Sequence, residues 1–149
     1  MDKKYRKLNI ALFSIYCTIM LWLLFDRVGG IDSVPYWDQV RMNLNLEPFH
    51  TIRLFLKVLN NRIYSSTAII NLGGNVIMFI PLGFLLPRAF PKLKKFFRCF
   101  FTAALIIILV EVTQLFTLLG SCDIDDLILN MAGILLGFIL HKMIKPRKS

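Results

Sequence analysis

The sequence predicts an all-α membrane protein, a compact bundle of about four transmembrane helices, and three observations carry that expectation. Hydrophobic residues make up 56% of the 149 residues and charged residues only 18%, against about 25% charged in a soluble domain. The deficit has a location: long apolar runs alternate with short charged segments, as they do when lipid is the solvent. The basic residues cluster at the edges of those runs, as Lys3, Lys4, Arg6 and Lys7, then Arg88, Lys92, Lys94, Lys95 and Arg98, then Lys142, Lys145, Arg147 and Lys148. Such clusters are topology signals. A nucleic-acid-binding face would need a soluble scaffold to display it, so the formal net charge of +9 does not imply a nucleic-acid partner. Residues 1–149 read as a single domain, without a low-complexity linker or an internal repeat.

The first apolar run covers residues 8–25. It exceeds the roughly 7–15 residues of a signal-peptide core, and Asp26-Arg27-Val28 offers no small-x-small cleavage site, so an uncleaved helix is expected. Residues 26–66 are polar and mixed in charge, with turns at Gly29-Gly30 and Pro35. Within them HTIRLFLKVLNNRI is amphipathic. Ile52, Phe55, Leu56 and Leu59 follow helical spacing, while Arg53, Lys57 and Asn60 face elsewhere. Two readings stand for it: a helix lying in the membrane interface, or an ordinary surface helix packed on the loop.

The second run, residues 68–87, contains Pro81, which removes a backbone donor and predicts a kink near Ile77. Gly73-Gly74 weakens the same helix. The third run, residues 100–119, is closed by Gly120. The fourth begins at about Leu127 and is short for a crossing unless it extends to residue 144. Placing the N-terminus inside puts thirteen of the eighteen Lys and Arg residues on the cytoplasmic side, with both termini. The loop at 120–126, with three aspartates and no Lys or Arg, then lies outside.

Polar residues that lipid would not select are the informative ones. Glu111 sits near the middle of the third run, where an ionised acid costs roughly 2.5–3.5 kcal/mol. Gln114 follows at i+3 on the same face. Asn71 and Asn75 share a face of the second helix. Asp123, Asp125 and Asp126 crowd the entrance of the fourth, where its dipole favours carboxylates and Asp123 or Asp125 could cap it; Asn130 lies one turn further on. With the N-terminus inside, Asn71, Asn75, Gln114, Asp126 and Asn130 fall in the outer part of the membrane and Glu111 is deepest. A polar cavity open to the exterior would satisfy them together.

Plainer readings stand beside this one. The acids cap a helix and solvate a loop, the amides join helices by hydrogen bonds, and Glu111 is structural. Gly133 and Gly137 form GxxxG, which implies close helix packing within the chain or between chains, and so an oligomer as one outcome. His50 and His141 are isolated and read as surface or interface residues. Cys17, Cys99 and Cys122 form no CxxC pair, so metal and redox signatures are absent and no disulfide framework is expected. No cofactor is implied.

The segments LGGNVIMFIPLGFLLP, VEVTQLF and DIDDLILNMAGILLG, in that order and spacing, resemble the core of VanZ-like proteins. MNLNLEPF resembles the same family's N-L-x-P-F segment, and the match spans about residues 41–140. The resemblance implies an N-x(3)-F-x-P-x-G element at Asn75, Phe79, Pro81 and Gly83, an E-x-x-Q element at Glu111 and Gln114, and D-x-x-D-x-x-x-N at Asp123, Asp126 and Asn130. Many relatives carry a basic residue just before the first of those aspartates; here Gly120, Ser121 and Cys122 stand instead, and Arg41 from the loop could substitute as a charge partner. The resemblance further implies a bacterial plasma-membrane location and low-level resistance to the glycopeptide teicoplanin.

Three functions are then in play. One is non-enzymatic, with the outer cavity binding drug, its lipid anchor or an envelope lipid. A second is an enzyme acting on a membrane lipid or lipid-linked wall precursor, with Glu111 as general acid or base. No nucleophile-base pair, metal motif or phosphate loop supports it. A third is a small transporter with Glu111 as proton carrier, for which four helices offer little room for repeats.

Overall fold

The computed structural model describes residues 3–26, 29–58 and 65–144. Leu59, Asn60, Arg27, Arg62 and the tail residues Lys145, Arg147 and Lys148 lie outside the described residues. Six α-helices occur among those described: α1 Lys3–Phe25, α2 Tyr36–Met42, α3 His50–Val58, α4 Ser65–Ala89, α5 Phe96–Thr117 and α6 Ile124–Met143. A 3-10 turn, Pro91–Leu93, joins α4 to α5, and two short strands, β1 Leu44–Asn45 and β2 Cys122–Asp123, pair in parallel.

Four helices, α1, α4, α5 and α6, hold apolar stretches of 20–22 residues. At 1.5 Å per residue these match a hydrocarbon layer roughly 30 Å thick. The expected all-α bundle is therefore present, and its outward apolar faces, such as Ile77, Phe101 and Leu109, form the surface that lipid covers. α1 packs mainly on α4, which sits centrally between α1 and α6. The core is built from Phe79, Leu82 and Leu86 of α4, Cys99, Ala103 and Ile107 of α5, Ile134 and Phe138 of α6, and Met20 of α1.

The α4–α6 contact is backbone against backbone. A methyl group built on Gly133 would stand 2.1 Å from the Val76 carbonyl oxygen, and one on Gly137 2.0 Å from that of Ile80. From the other side, a methyl group built on Gly83 would stand 2.1 Å from the Ile134 oxygen. Of the two packings GxxxG allows, the chain uses the internal one. α4 remains helical through Gly73-Gly74, Pro81 and Pro87. Proline 81 deprives the Ile77 carbonyl of its helical donor, and one residue on, the Tyr16 hydroxyl donates to the Met78 oxygen at 2.9 Å, tying α1 to this part of α4.

Element ends differ from the sequence expectation in two instructive places. α6 starts at Ile124, not 127, because Asp123 caps it and accepts from the Asp125 amide at 2.8 Å. The acids thus enter the first helical turn, where the dipole stabilises them, and the helix gains the length it lacked. α5 stops at Thr117, before Gly120, because Leu118 takes a left-handed conformation (φ 57°) and the Leu119 amide returns to the Gln114 carbonyl.

The described part of the long connection after α1, residues 29–58, packs against one end of the bundle. Gln39 is buried and staples its turn, receiving the Ile31 amide and donating to the Ile31 and Val34 carbonyls. The Tyr36 hydroxyl reaches the Phe116 carbonyl at 2.8 Å. β1 aligns Leu44 with Cys122 and Asn45 with Asp123. The basic residues Arg88, Lys92, Lys94, Lys95, Arg98 and Lys142 gather at the opposite end, near the Arg88 contact with the Ile144 carbonyl.

Candidate functional site

The acidic end is assembled by three aspartates, each with a different task. Asp123 is the hub. Its Oδ1 caps α6, while its Oδ2 accepts from the Thr51 hydroxyl at 2.6 Å and from Asn45 Nδ2 at 3.1 Å. Two segments of the long connection, β1 and the first turn of α3, are thereby bound to the entrance of α6. Asp125 is fully buried, at 0% exposure. Its two oxygens accept the Phe49 amide and, at 3.0 Å, the Ile52 amide. Those are among the amides that a helix start leaves without internal partners. Asp125, a residue of α6, thus supplies the N-terminal cap of α3, with Phe49 in the left-handed region (φ 64°) to turn its amide inward. Asp126 receives the side-chain amide of Asn75 from α4.

Some of the site residues expected from sequence meet at the start of α6. Asn75 and Asp126 bond directly. Asn130, one turn below Asp126, is 3% exposed, and its Oδ1 has no hydrogen-bond partner among the described residues. Glu111 is 8% exposed on α5, and it acts electrostatically on Cys122. Burial pushes the Cys122 thiol up, and the carboxylates of Glu111 and Asp123 add to the rise.

Gln114 has a structural task as well. Its Nε2 donates to the Leu24 carbonyl at 2.9 Å, satisfying an acceptor at the open end of α1. Gly120 lies so close to Gln114 that a side chain there would stand 3.2 Å from its amide. Asn71 is exposed near the start of α4. Arg41 is also exposed and lies 3.8 Å from Asp38, its neighbour on α2. The amphipathic segment forms α3 as expected, with Ile52 and Phe55 partly buried and Leu54 and Leu56 exposed.

Chemically the cluster offers carboxylates, two amides and a buried acceptor beneath a cover formed by β1 and α3. Among the described residues no group of three His, Cys, Asp or Glu is arranged to hold a metal ion. The residue that sequence reasoning undervalued is Asp125, whose partners lie 73 and 76 positions away.

A family model described as VanZ/LLP1 matches residues 13–145. The protein is similar to Protein VanZ of Enterococcus faecium, at 30% identity over 135 residues, covering 90% of this chain and 73% of that relative. No solved structure matches it.

Proposed function

The chain belongs to the VanZ/LLP1 family, and on that premise we propose that it is a bacterial plasma-membrane protein that lowers susceptibility to teicoplanin-type glycopeptides by binding drug or an envelope lipid at the acidic end of the bundle. Family membership supports a resistance-type function, and the polar groups at the acidic end support a binding role. The observation that carries the binding step is Asn130, a buried acceptor without a partner among the described residues, one turn from the Asn75–Asp126 hydrogen bond. A buried polar atom left unpaired costs about 1–3 kcal/mol, and a hydroxyl or amide donor from a ligand would remove that cost. Positive-inside charge supports an orientation with both termini in the cytoplasm and the acidic end outside, where such ligands arrive.

The test is expression in a susceptible Gram-positive host. The inhibitory concentration of teicoplanin should rise more than that of vancomycin, because a lipid-tailed drug partitions into the membrane that holds this protein. Equal shifts for the two drugs would oppose a membrane-level mechanism. Altered wall-precursor lipids on expression would point instead to an enzyme, and loss of protection on collapsing the pH gradient to transport. Impermeant labelling in intact cells should reach Cys122 and spare a cysteine introduced at position 95; the reverse pattern would invert the topology.

A further inference from the structure

The end of the bundle opposite the aspartates carries a second feature. A groove of about 510 Å³ opens between the 3-10 turn and the start of α5, lined by Lys92, Leu93, Phe97, Arg98, Phe101 and Thr102. We propose that it binds an anionic phospholipid, its phosphate between Lys92 and Arg98 and an acyl chain along Phe97 and Phe101.

The charge is one-sided. Segments 88–110 and 131–149 contain no Asp or Glu. Arg88 and Lys142 at this end already have other contacts: the Arg88 guanidinium lies 4.0 Å from the Phe84 ring and the Lys142 ammonium 5.3 Å from that of Phe138. Lys92 and Arg98 are exposed and have no hydrogen bond or ion pair with the described residues. Thr102 adds a hydroxyl donor to the same groove.

The apolar part is equally specific in placement. Phe97 and Phe101 are 70% and 68% exposed and stack on each other at 6.4 Å, and Leu105 continues their stripe at i+4. α5 begins its membrane-spanning stretch at Phe96. The cations thus stand at the edge of the span and the rings lead into it. A free anion would use the cations and leave the rings bare; a zwitterionic lipid would use the rings and gain little from the cations. An anionic lipid fits both, as basic pockets beside membrane helices do in general. The site does not rest on the resistance reading; only its leaflet, the inner one, follows from the proposed orientation.

Purified full-length protein in mixed micelles, examined by native mass spectrometry, tests the site. Wild type should retain one phosphatidylglycerol over phosphatidylcholine by roughly tenfold, the order that two cations near a membrane supply. K92Q/R98Q should lose most of that preference. K94Q/K95Q, which removes the same charge outside the groove, should keep it, and F101A should weaken retention of the lipid. Glycerol phosphate at millimolar concentration should not displace it. Equal loss in the two charge-matched pairs, equal retention of the two lipids, or displacement by glycerol phosphate would each overturn the proposal. Circular dichroism of every variant guards against misfolding, and these exposed positions bear little of the core.

Discussion

The same two helices, α4 and α6, are joined by opposite means along their length. In the middle, Gly83, Gly133 and Gly137 let backbone meet backbone. At the acidic end, side chains make the contact, through Asn75 and Asp126 with Asp123 and Asp125 beside them. The glycine seam is a steric device that sets distance and crossing. The acidic end is a chemical device that needs partners. The first should tolerate no added volume, and the second should tolerate volume better than the loss of an acceptor.

That contrast predicts its largest effect at Gly137. Gly137→Leu should abolish folded protein, read as the monodisperse fraction in detergent, since the Ile80 carbonyl already lies 2.0 Å from the first added carbon. Gly73→Ala in the same α4 has nothing within 4 Å and should be neutral or stabilising by up to about 1 kcal/mol. Equal damage from both would break the comparison.

Asp125→Ala should come next. It strands two amides at the start of α3, costing roughly 1–3 kcal/mol for each that stays buried without an acceptor. The expected outcome is faster tryptic cleavage at Arg53 and Lys57 with the four long helices intact, and partial rescue by Asp125→Asn. Unchanged protection of α3 would remove Asp125 from its capping role.

Glu111→Gln should act on function more than on folding. It keeps size and hydrogen bonding while removing the charge, so abundance should hold or rise while protection against teicoplanin is mostly lost. Glu111→Asp separates geometry from charge, since it withdraws the carboxylate by about 1.5 Å. Full activity of Glu111→Gln at normal abundance would recast the cluster as glue between helices.

The smallest effect concerns Cys122. Its pKa is raised by burial and by the neighbouring carboxylates, so the thiolate is scarce at neutral pH. Alkylation of Cys122, assigned by mass spectrometry, should be slower than that of a peptide thiol and should keep climbing at pH values where the peptide levels off. Glu111→Gln lowers that pKa and should speed labelling roughly twofold to fivefold at fixed pH, the order of one screened charge. An unchanged rate would place Glu111 away from β2.

Much of this was legible in the sequence because lipid makes polarity costly. Glu111, Asn75, Asp126 and Asn130 stand out from apolar runs by that criterion, and GxxxG announced close approach. The ends of α5 and α6 were less legible. A left-handed Leu118 competes with the more obvious stop at Gly120, and an aspartate cap is ambiguous when three aspartates crowd one entrance. Asp123 caps its own helix, a local relation that spacing reveals. Asp125 caps a helix 73 residues earlier, and no local pattern encodes such a pairing. The i+3 spacing from Glu111 puts Gln114 on the buried face, yet its partner is a carbonyl of α1, which periodicity does not name.

The parallel pairing of β1 with β2 has a consequence for how the protein is made. Asn45 and Asp123 are 78 residues apart, and β1 leaves the ribosome long before β2. Until α6 is synthesised, the Phe49 and Ile52 amides lack Asp125, and Thr51 lacks Asp123. The penalty for closing so long a loop grows only with the logarithm of its length, so lateness rather than distance is the obstacle. The cover over the acidic end is therefore latched by α6, made after α1, α4 and α5, and a nascent chain halted before Cys122 has those three membrane helices but lacks the Asp123 and Asp125 acceptors that hold β1 and the start of α3.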